Sequence, residues 1–151
     1  MNCRLQCRRV NSLLLHAQPT FTPMTAQPLL LLVEDFPDAR EMYQFYLARR
    51  GYRVEVAAEG HEALRLAMEL HPSLILMDLG LPGIDGWTLI RMLKQDDGTR
   101  SIPILVLSGY TTSSARERAF AAGCNGYLTK PCLPARLAEE IDRAMGQGPR
   151  C

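Results

Sequence analysis

Five polar positions suited to binding a metal or a phosphate group stand at one kind of place in the sequence, directly after a short apolar run. They are Glu34, Asp35, Asp78, Ser108 and Lys130. Three carboxylates held close together repel one another, and a bound cation is the usual remedy. Oxygen ligands with open positions suit Mg²⁺, which keeps several waters and accepts a phosphate oxygen. If the fold brings these side chains together, they form a magnesium site that can receive an anionic group.

The surroundings of Asp78 show how one of these residues would be positioned. Asp78 follows the apolar run Leu74–Met77, which fits a strand buried on both faces, and precedes a loop rich in glycine and proline. Taken alone, Asp78 is explained as well by a turn or a helix cap, and so is the pair Glu34 and Asp35. The functional interpretation therefore depends on several such residues meeting at one point.

The alternation of strand and helix patterns, five times in succession, predicts an α/β fold in which helices cover both faces of a parallel sheet. The predicted strands are 29–33, 52–57, 74–77, 102–107 and 127–129, and the predicted helices are 38–50, 60–70, 87–94, 113–122 and 134–145. The second strand is short and polar, which suits an edge of the sheet. Such sheets bind ligands beyond the carboxyl ends of their strands, where all five polar positions stand.

Composition and charge are those of an ordinary globular domain. The 151 residues are 47% hydrophobic and 22% charged, with a net charge of +1. Residues 1–28 carry three arginines and no acidic residue, whereas the remainder has 14 basic and 16 acidic residues. A mildly acidic body lacks the clustered basic patch that nucleic-acid binding requires, so we expect no direct nucleic-acid partner.

We expect three segments: a disordered N-terminal extension at 1–28, a domain at 29–146 and a short tail at 147–151. Met24 is an alternative initiator. The five cysteines are scattered without paired spacing, which predicts reduced thiols in a cytoplasmic protein rather than a disulfide framework or a zinc site. No apolar run approaches the roughly 18 residues that a membrane-spanning helix needs, so no membrane association is expected.

From about residue 29 to residue 145, the chain resembles the receiver domain of two-component response regulators. The shared pattern is an acidic pair after the first strand, Asp78 with a following L-P-G-I-D-G loop, Ser108 after the fourth strand, and Lys130-Pro131 after the fifth. The resemblance implies a doubly wound, flavodoxin-like (βα)5 fold with strand order 2-1-3-4-5 and a cis bond between Lys130 and Pro131.

The resemblance also implies a metal-dependent phosphoryl acceptor. Asp78 would take a phosphoryl group from the phosphohistidine of a histidine kinase or a histidine phosphotransfer protein. Mg²⁺ would be held by Asp35, Asp78 and the backbone carbonyl of Gly80, with Glu34 acting through a metal-bound water. Lys130 would pair with the oxygens of the transferred group.

The remaining implied residues belong to a switch. Ser108 would move to hold the acyl phosphate, and Tyr127 would swing inward as Ser108 moves. A downstream protein would then bind the face made by the fourth helix, the fifth strand and the fifth helix. The protein would be a stand-alone response regulator in a phosphorelay, or a piece of a larger one, and not an enzyme. Gly80 offers no side chain to orient a hydrolytic water and Tyr110 shields the site, so self-dephosphorylation should be slow.

Three positions depart from the family pattern, and two alternative functions compete with the phosphoryl acceptor. Glu34 replaces the usual first aspartate, Gly109 stands where alanine is frequent, and Cys132 stands where many relatives have an aromatic residue. A phosphatase of the haloacid dehalogenase type also uses a strand-end aspartate and Mg²⁺, but it needs a second aspartate at the position of Gly80. A receiver-like adaptor that never carries phosphate is disfavoured by the complete set of five polar residues. Trp87, the only tryptophan, is expected near the metal loop.

Overall fold

The computed structural model describes residues 26–146 and shows five strands alternating with five helices. The elements are β1 Leu29–Val33, α1 Pro37–Arg49, β2 Arg53–Ala57, α2 Gly60–Leu70, β3 Leu74–Met77, α3 Gly86–Gln95, β4 Ile104–Ser108, α4 Ser113–Ala122, β5 Gly126–Thr129 and α5 Pro134–Ala144. The expected tail at 147–151, and all of the expected extension except residues 26–28, lie outside the described residues.

All strand pairs are parallel, and the strand order is β2-β1-β3-β4-β5, which confirms the predicted fold and the edge position of β2. In the register, Val33 lies beside Met77, and Met77 lies beside Val106. The residues that follow β1 and β3 therefore emerge side by side at the carboxyl edge of the sheet.

Helices cover both faces of the sheet because each central strand is apolar on both sides. In β1, Leu31 and Val33 point to the layer formed with α2, α3 and α4, whereas Leu30 and Leu32 point to the layer formed with α1 and α5. Burying each such side chain contributes about 1.5–3 kcal/mol to folding. This two-sided core makes the carboxyl edge a rigid platform.

The element boundaries differ from prediction where backbone chemistry intervenes. β4 begins at Ile104, two residues later than predicted. The Ile102 amide donates to the Thr99 carbonyl in a turn, and Pro103 has no amide hydrogen to donate to the sheet. α1 begins one residue earlier than predicted because Pro37 is pre-shaped for the first helical turn. Across residues 26–146 the structure contains no helix long and apolar enough to span a membrane.

Candidate functional site

Three carboxylates meet at the carboxyl edge. Glu34, Asp35 and Asp78 each present an oxygen within 4.8 Å of the others. The backbone enforces this, because the Asp78 amide donates to the Val33 carbonyl at 3.0 Å and so joins the ends of β1 and β3. The sequence prediction that the acidic pair converges on Asp78 is confirmed. Hard oxygen donors in this number fit Mg²⁺.

Lys130 reaches the same point from β5. Its Nζ lies 2.5 Å from Glu34 Oε2 and 3.2 Å from Asp78 Oδ2, and its amide donates to the Ser108 carbonyl at 2.8 Å. Partial burial by itself lowers the pKa of Lys130, but the Glu34 hydrogen bond and the two carboxylate charges outweigh it, so the pKa is raised above its ordinary value. Lys130 is therefore a fixed positive charge at neutral pH. The Lys130–Pro131 bond is cis, as predicted.

The three carboxylates differ in accessibility. Glu34 is buried, and its two oxygens are engaged by Lys130 Nζ and by the Phe36 amide at 3.1 Å. Asp35 is exposed, and the Asp78 side chain is 13% exposed. Asp78 Oδ1 accepts a 3.3 Å hydrogen bond from the Gly80 amide. Asp35 and Asp78 thus remain open to a ligand from solvent, whereas the buried Glu34 carboxylate is already bound by Lys130 and the Phe36 amide.

A cavity of about 300 Å³ opens directly over Asp78. Its lining comprises Asp78, Gly80, Gly109, Tyr110 and Lys130. A Cβ atom placed on Gly80 would lie 3.9 Å from the Tyr110 ring, so the missing side chain leaves space between the two residues. The cavity can admit a phosphoryl group at the Asp78 carboxylate.

Ser108 and Tyr127 form a connected pair behind this cavity. Ser108 is fully buried, and its Oγ accepts the Tyr110 amide at 3.2 Å. The Tyr127 hydroxyl donates to the Tyr110 carbonyl at 2.7 Å, and the ring is 8% exposed. Burial raises the pKa of Tyr127, although a hydrogen bond with Ser108 opposes the rise. Tyr127 therefore already lies inward in this structure, held by the loop that follows β4.

Trp87, at the start of α3, packs against the same loop. Its ring centroid lies 5.3 Å from that of Tyr110, its Nε1 donates to the Ala115 carbonyl at 3.2 Å, and the Arg118 guanidinium lies 4.3 Å over its ring. Trp87 therefore lies beside Tyr110, a residue that lines the cavity over Asp78.

Two residues on α1 also contact the site, and sequence reasoning did not single them out. Arg40 Nη1 donates to the carbonyls of Glu34 at 2.9 Å and Asp35 at 3.3 Å. The buried Tyr43 hydroxyl donates to the Cys132 carbonyl at 2.9 Å. Arg40 lies in the first turn of the helix that directly follows the acidic pair, and this position is the signal in the sequence that could have identified it. Nothing in the sequence connects Tyr43 with a residue 89 positions away.

Comparison with known proteins gives one family for this chain. The response regulator receiver domain family matches residues 30–142. The chain belongs to that family. Receiver domains are signalling domains that bind Mg²⁺ at an acidic pocket and interact with histidine kinases and phosphotransfer proteins.

Curated relatives include both short and long proteins. The polar-differentiation response regulator DivK of Brucella ovis is 33% identical over 117 residues, which cover 78% of this chain and 95% of DivK. The DNA-binding dual master transcriptional regulator RpaA of Synechocystis is 36% identical over 104 residues, which cover 69% of this chain and 43% of RpaA. This receiver domain thus corresponds to nearly all of the first relative and less than half of the second.

Solved structures give the same result. A putative response regulator from Chloroflexus aurantiacus has a TM-score of 0.76 and 36% identity, covering 80% of this chain and 99% of its own. The receiver domain of a sensor histidine kinase from Pseudomonas aeruginosa has a TM-score of 0.75 and 35% identity, covering 81% and 100%. That second structure has a magnesium ion coordinated in its active-site cleft.

Proposed function

We propose that this receiver domain is a phosphorylatable switch in a phosphorelay. In the reaction, an Asp78 carboxylate oxygen attacks the phosphorus of a phosphohistidine on a histidine kinase or phosphotransfer protein. The P–N bond breaks, the histidine nitrogen keeps its electron pair, and an aspartyl phosphate forms. The observation that carries the proposal is the convergence of three carboxylates and the Lys130 ammonium beside the cavity over Asp78.

The oxygen donors of the site fit Mg²⁺. Asp35, Asp78 and the backbone carbonyl of Gly80 would hold the ion, and Glu34 would act through a bound water. The ion would supply positive charge to the phosphoryl oxygens, whose negative charge is spread in phosphoryl transfer. Burial and pairing of Glu34 with Lys130 agree with an indirect role for Glu34.

The other site residues act on the transferred group. The Lys130 ammonium, 3.2 Å from Asp78 Oδ2, is placed to neutralise a phosphoryl oxygen. The Ser108 hydroxyl now accepts the Tyr110 amide, and moving it toward the acyl phosphate requires that bond to break. Since Tyr110 also accepts from Tyr127, the loop after β4 transmits the change to the face of α4, β5 and α5. That face is our proposed docking surface for a downstream protein.

A protein phosphodonor is supported by the surface beside the site. A second cavity, of about 650 Å³, lies between α1 and the loop after β5, adjacent to Lys130. Met42 and Leu133 line it and are 46% and 76% exposed, and Phe36, at the start of α1, is 58% exposed. Exposed apolar side chains at this density suit a protein partner. We place the protein in the cytoplasm, where free thiols such as Cys124 and Cys132 persist.

The decisive experiment is incubation with acetyl phosphate and Mg²⁺, followed by intact-mass spectrometry. The switch predicts a stable adduct of one phosphoryl group that is acid-stable, base-labile and absent in Asp78→Asn. Rapid turnover of many phosphoesters would favour the phosphatase instead, and the absence of any adduct would favour the adaptor.

We propose further that the aspartyl phosphate hydrolyses slowly. Tyr110 stands over the cavity and Gly80 provides no polar side chain to orient a water. Tyr110→Ala should therefore shorten the phosphate lifetime, measured by the decay of the adduct after donor removal. A half-life of seconds in the unaltered protein, with no phosphatase present, would contradict this proposal.

A further inference from the structure

The two halves of the candidate site come from strands that are not neighbours. Glu34 and Asp35 follow β1 and Lys130 follows β5, with β3 and β4 between them. At the usual strand spacing, the axes of β1 and β5 are about 14 Å apart. The long side chains of Lys130 and Glu34 reach across most of this separation, with Lys130 Nζ 2.5 Å from Glu34 Oε2. Contacts that hold the two backbone segments can therefore help to set this distance.

Tyr43 makes such a contact. Its side chain is 3% exposed on the inner face of α1, in the core layer that α1 shares with α5. The hydroxyl donates 2.9 Å to the carbonyl of Cys132, two residues beyond Lys130. Burial raises the pKa of Tyr43, so the hydroxyl stays protonated and able to donate. The loop carrying Lys130 is thereby tied to α1.

Arg40, also on α1, contacts the other half of the site, which is the acidic pair after β1. One guanidinium nitrogen donates to the carbonyls of both Glu34 and Asp35. These bonds restrain the backbone of the acidic pair at the end of β1, which directs where the two carboxylates point. Arg40 and Tyr43 are three residues apart on one helix, so they lie on neighbouring positions of the same face.

We propose that Arg40 and Tyr43, here called the α1 pair, are positioning residues that set the distance between the acidic pair and Lys130. One rigid helix holds the backbone of both halves and so maintains the geometry in which Lys130 faces Glu34 and Asp78. The inference rests on the proposed phosphoryl transfer, but the contacts themselves can be tested without it.

The first test uses Tyr43→Phe, which removes the hydroxyl and keeps the ring. We expect adduct formation from acetyl phosphate at saturating Mg²⁺ to slow about tenfold, because small displacements of a charge-stabilising group are costly in transfer reactions. Tyr52→Phe is the matched control, since Tyr52 is equally buried and its hydroxyl bonds Asp142, a residue of α5 near the opposite end of the domain. The control should stay within about twofold of the unaltered rate.

A double-mutant cycle distinguishes positioning from general structural damage. If Tyr43 acts through Lys130, then Tyr43→Phe causes no further slowing in a Lys130→Ala background. Equal slowing in both backgrounds would overturn the assignment of Tyr43.

The second test uses Arg40→Gln and a calorimetric Mg²⁺ titration. Loss of the two carbonyl contacts should raise the Mg²⁺ dissociation constant about tenfold, as expected for residues that orient metal ligands. Arg49→Gln, on the last turn of the same helix, should leave it unchanged. Unchanged Mg²⁺ affinity in Arg40→Gln would overturn the assignment of Arg40.

Failure of the proposed function would look different. If the unaltered protein forms no adduct, the phosphoryl transfer proposal fails, while the Mg²⁺ titration still tests Arg40. Hydrogen exchange then tests Tyr43: the amides of Lys130, Cys132 and Leu133 should exchange several-fold faster in Tyr43→Phe and not in Tyr52→Phe. Unchanged exchange would refute the role of Tyr43 regardless of function.

Discussion

Two carboxylates of this domain are equally hidden, Glu34 at the carboxyl edge of the sheet and Asp142 at the amino edge, each 2% exposed. They differ in their partners. Glu34 pairs with the Lys130 ammonium at 2.5 Å. Asp142 accepts a short hydrogen bond from the Tyr52 hydroxyl and lies 3.5 Å from the Arg50 guanidinium.

The balance of charge distinguishes the two edges. Lys130 serves two carboxylates, Glu34 and Asp78, while Asp35 lies within reach of the same point. The carboxyl edge therefore carries more negative than positive charge and favours an added cation. The amino edge pairs one carboxylate with one guanidinium and a phenol. A buried carboxylate thus indicates function when its surroundings leave charge uncompensated, and stability when they do not.

The largest expected effect is on the rate of adduct formation, which should depend on the carboxyl edge and not on the amino edge. Lys130→Ala should slow adduct formation from acetyl phosphate about 100-fold, because a preorganised positive charge is lost from the reacting group. Asp142→Asn should leave the rate within about twofold. Comparable slowing in both variants would show that the amino edge also supports the reaction, and would contradict the assignment of function to the carboxyl edge alone.

The second effect is on the free energy of unfolding, which should depend on the buried contacts of the amino edge. Tyr52→Phe removes the phenol donor from the buried Asp142 carboxylate and should lower the free energy of unfolding by about 1.5–3 kcal/mol. Chemical denaturation with and without Mg²⁺ measures it. If the difference in stability between the unaltered protein and Tyr52→Phe shrinks when Mg²⁺ is added to both, the separation of the two edges is contradicted.

Metal binding should stabilise the carboxyl edge more modestly. At ten times its dissociation constant, Mg²⁺ raises the free energy of unfolding by about 1.4 kcal/mol through mass action. Asp78→Asn removes a carboxylate from the cluster and should reduce this gain, whereas Asp142→Asn should retain it. Denaturation curves of the three proteins, each recorded without Mg²⁺ and at one fixed Mg²⁺ concentration, measure this gain.

The smallest expected effect is optical. Trp87 contacts the Tyr110 ring near the site, so Mg²⁺ or a beryllofluoride phosphoryl mimic should change its fluorescence. The same change should persist in Tyr52→Phe, which removes the hydroxyl bonded to Asp142 at the other edge. A flat titration at saturating Mg²⁺ would count against the proposed coupling between the metal and the Tyr110 loop.

Much of the fold followed from local patterns. The predicted bounds of α2 and α4 agree with the structure, since helical spacing and terminal turn residues act within one element. The start of β4 was predicted too early. A hydrophobic pattern cannot show that the Ile102 amide is already bonded in a turn, and Pro103, which has no amide hydrogen, cannot donate to the sheet.

The sequence predicted which residues form the site better than it predicted which of their side chains contact one another. The convergence of the acidic pair, Asp78 and Lys130 followed from the rule that parallel strands end at one edge. The partner of Lys130 was expected to be a phosphoryl group, and the structure adds the buried Glu34. The inward position of Tyr127, held by the Tyr110 carbonyl, was likewise a result of packing.

The amino-acid sequence by itself determined the alternating elements, the residues at the strand ends and, through the family pattern, the order of the strands. These depend on periodicity, turn residues and backbone restrictions, which act over a few positions. Tertiary structure alone decided that Lys130 lies between Glu34 and Asp78 and that Tyr43 holds the loop beyond it. Such contacts join residues far apart in the chain, and they form only when the packing of helices on the sheet sets their distance.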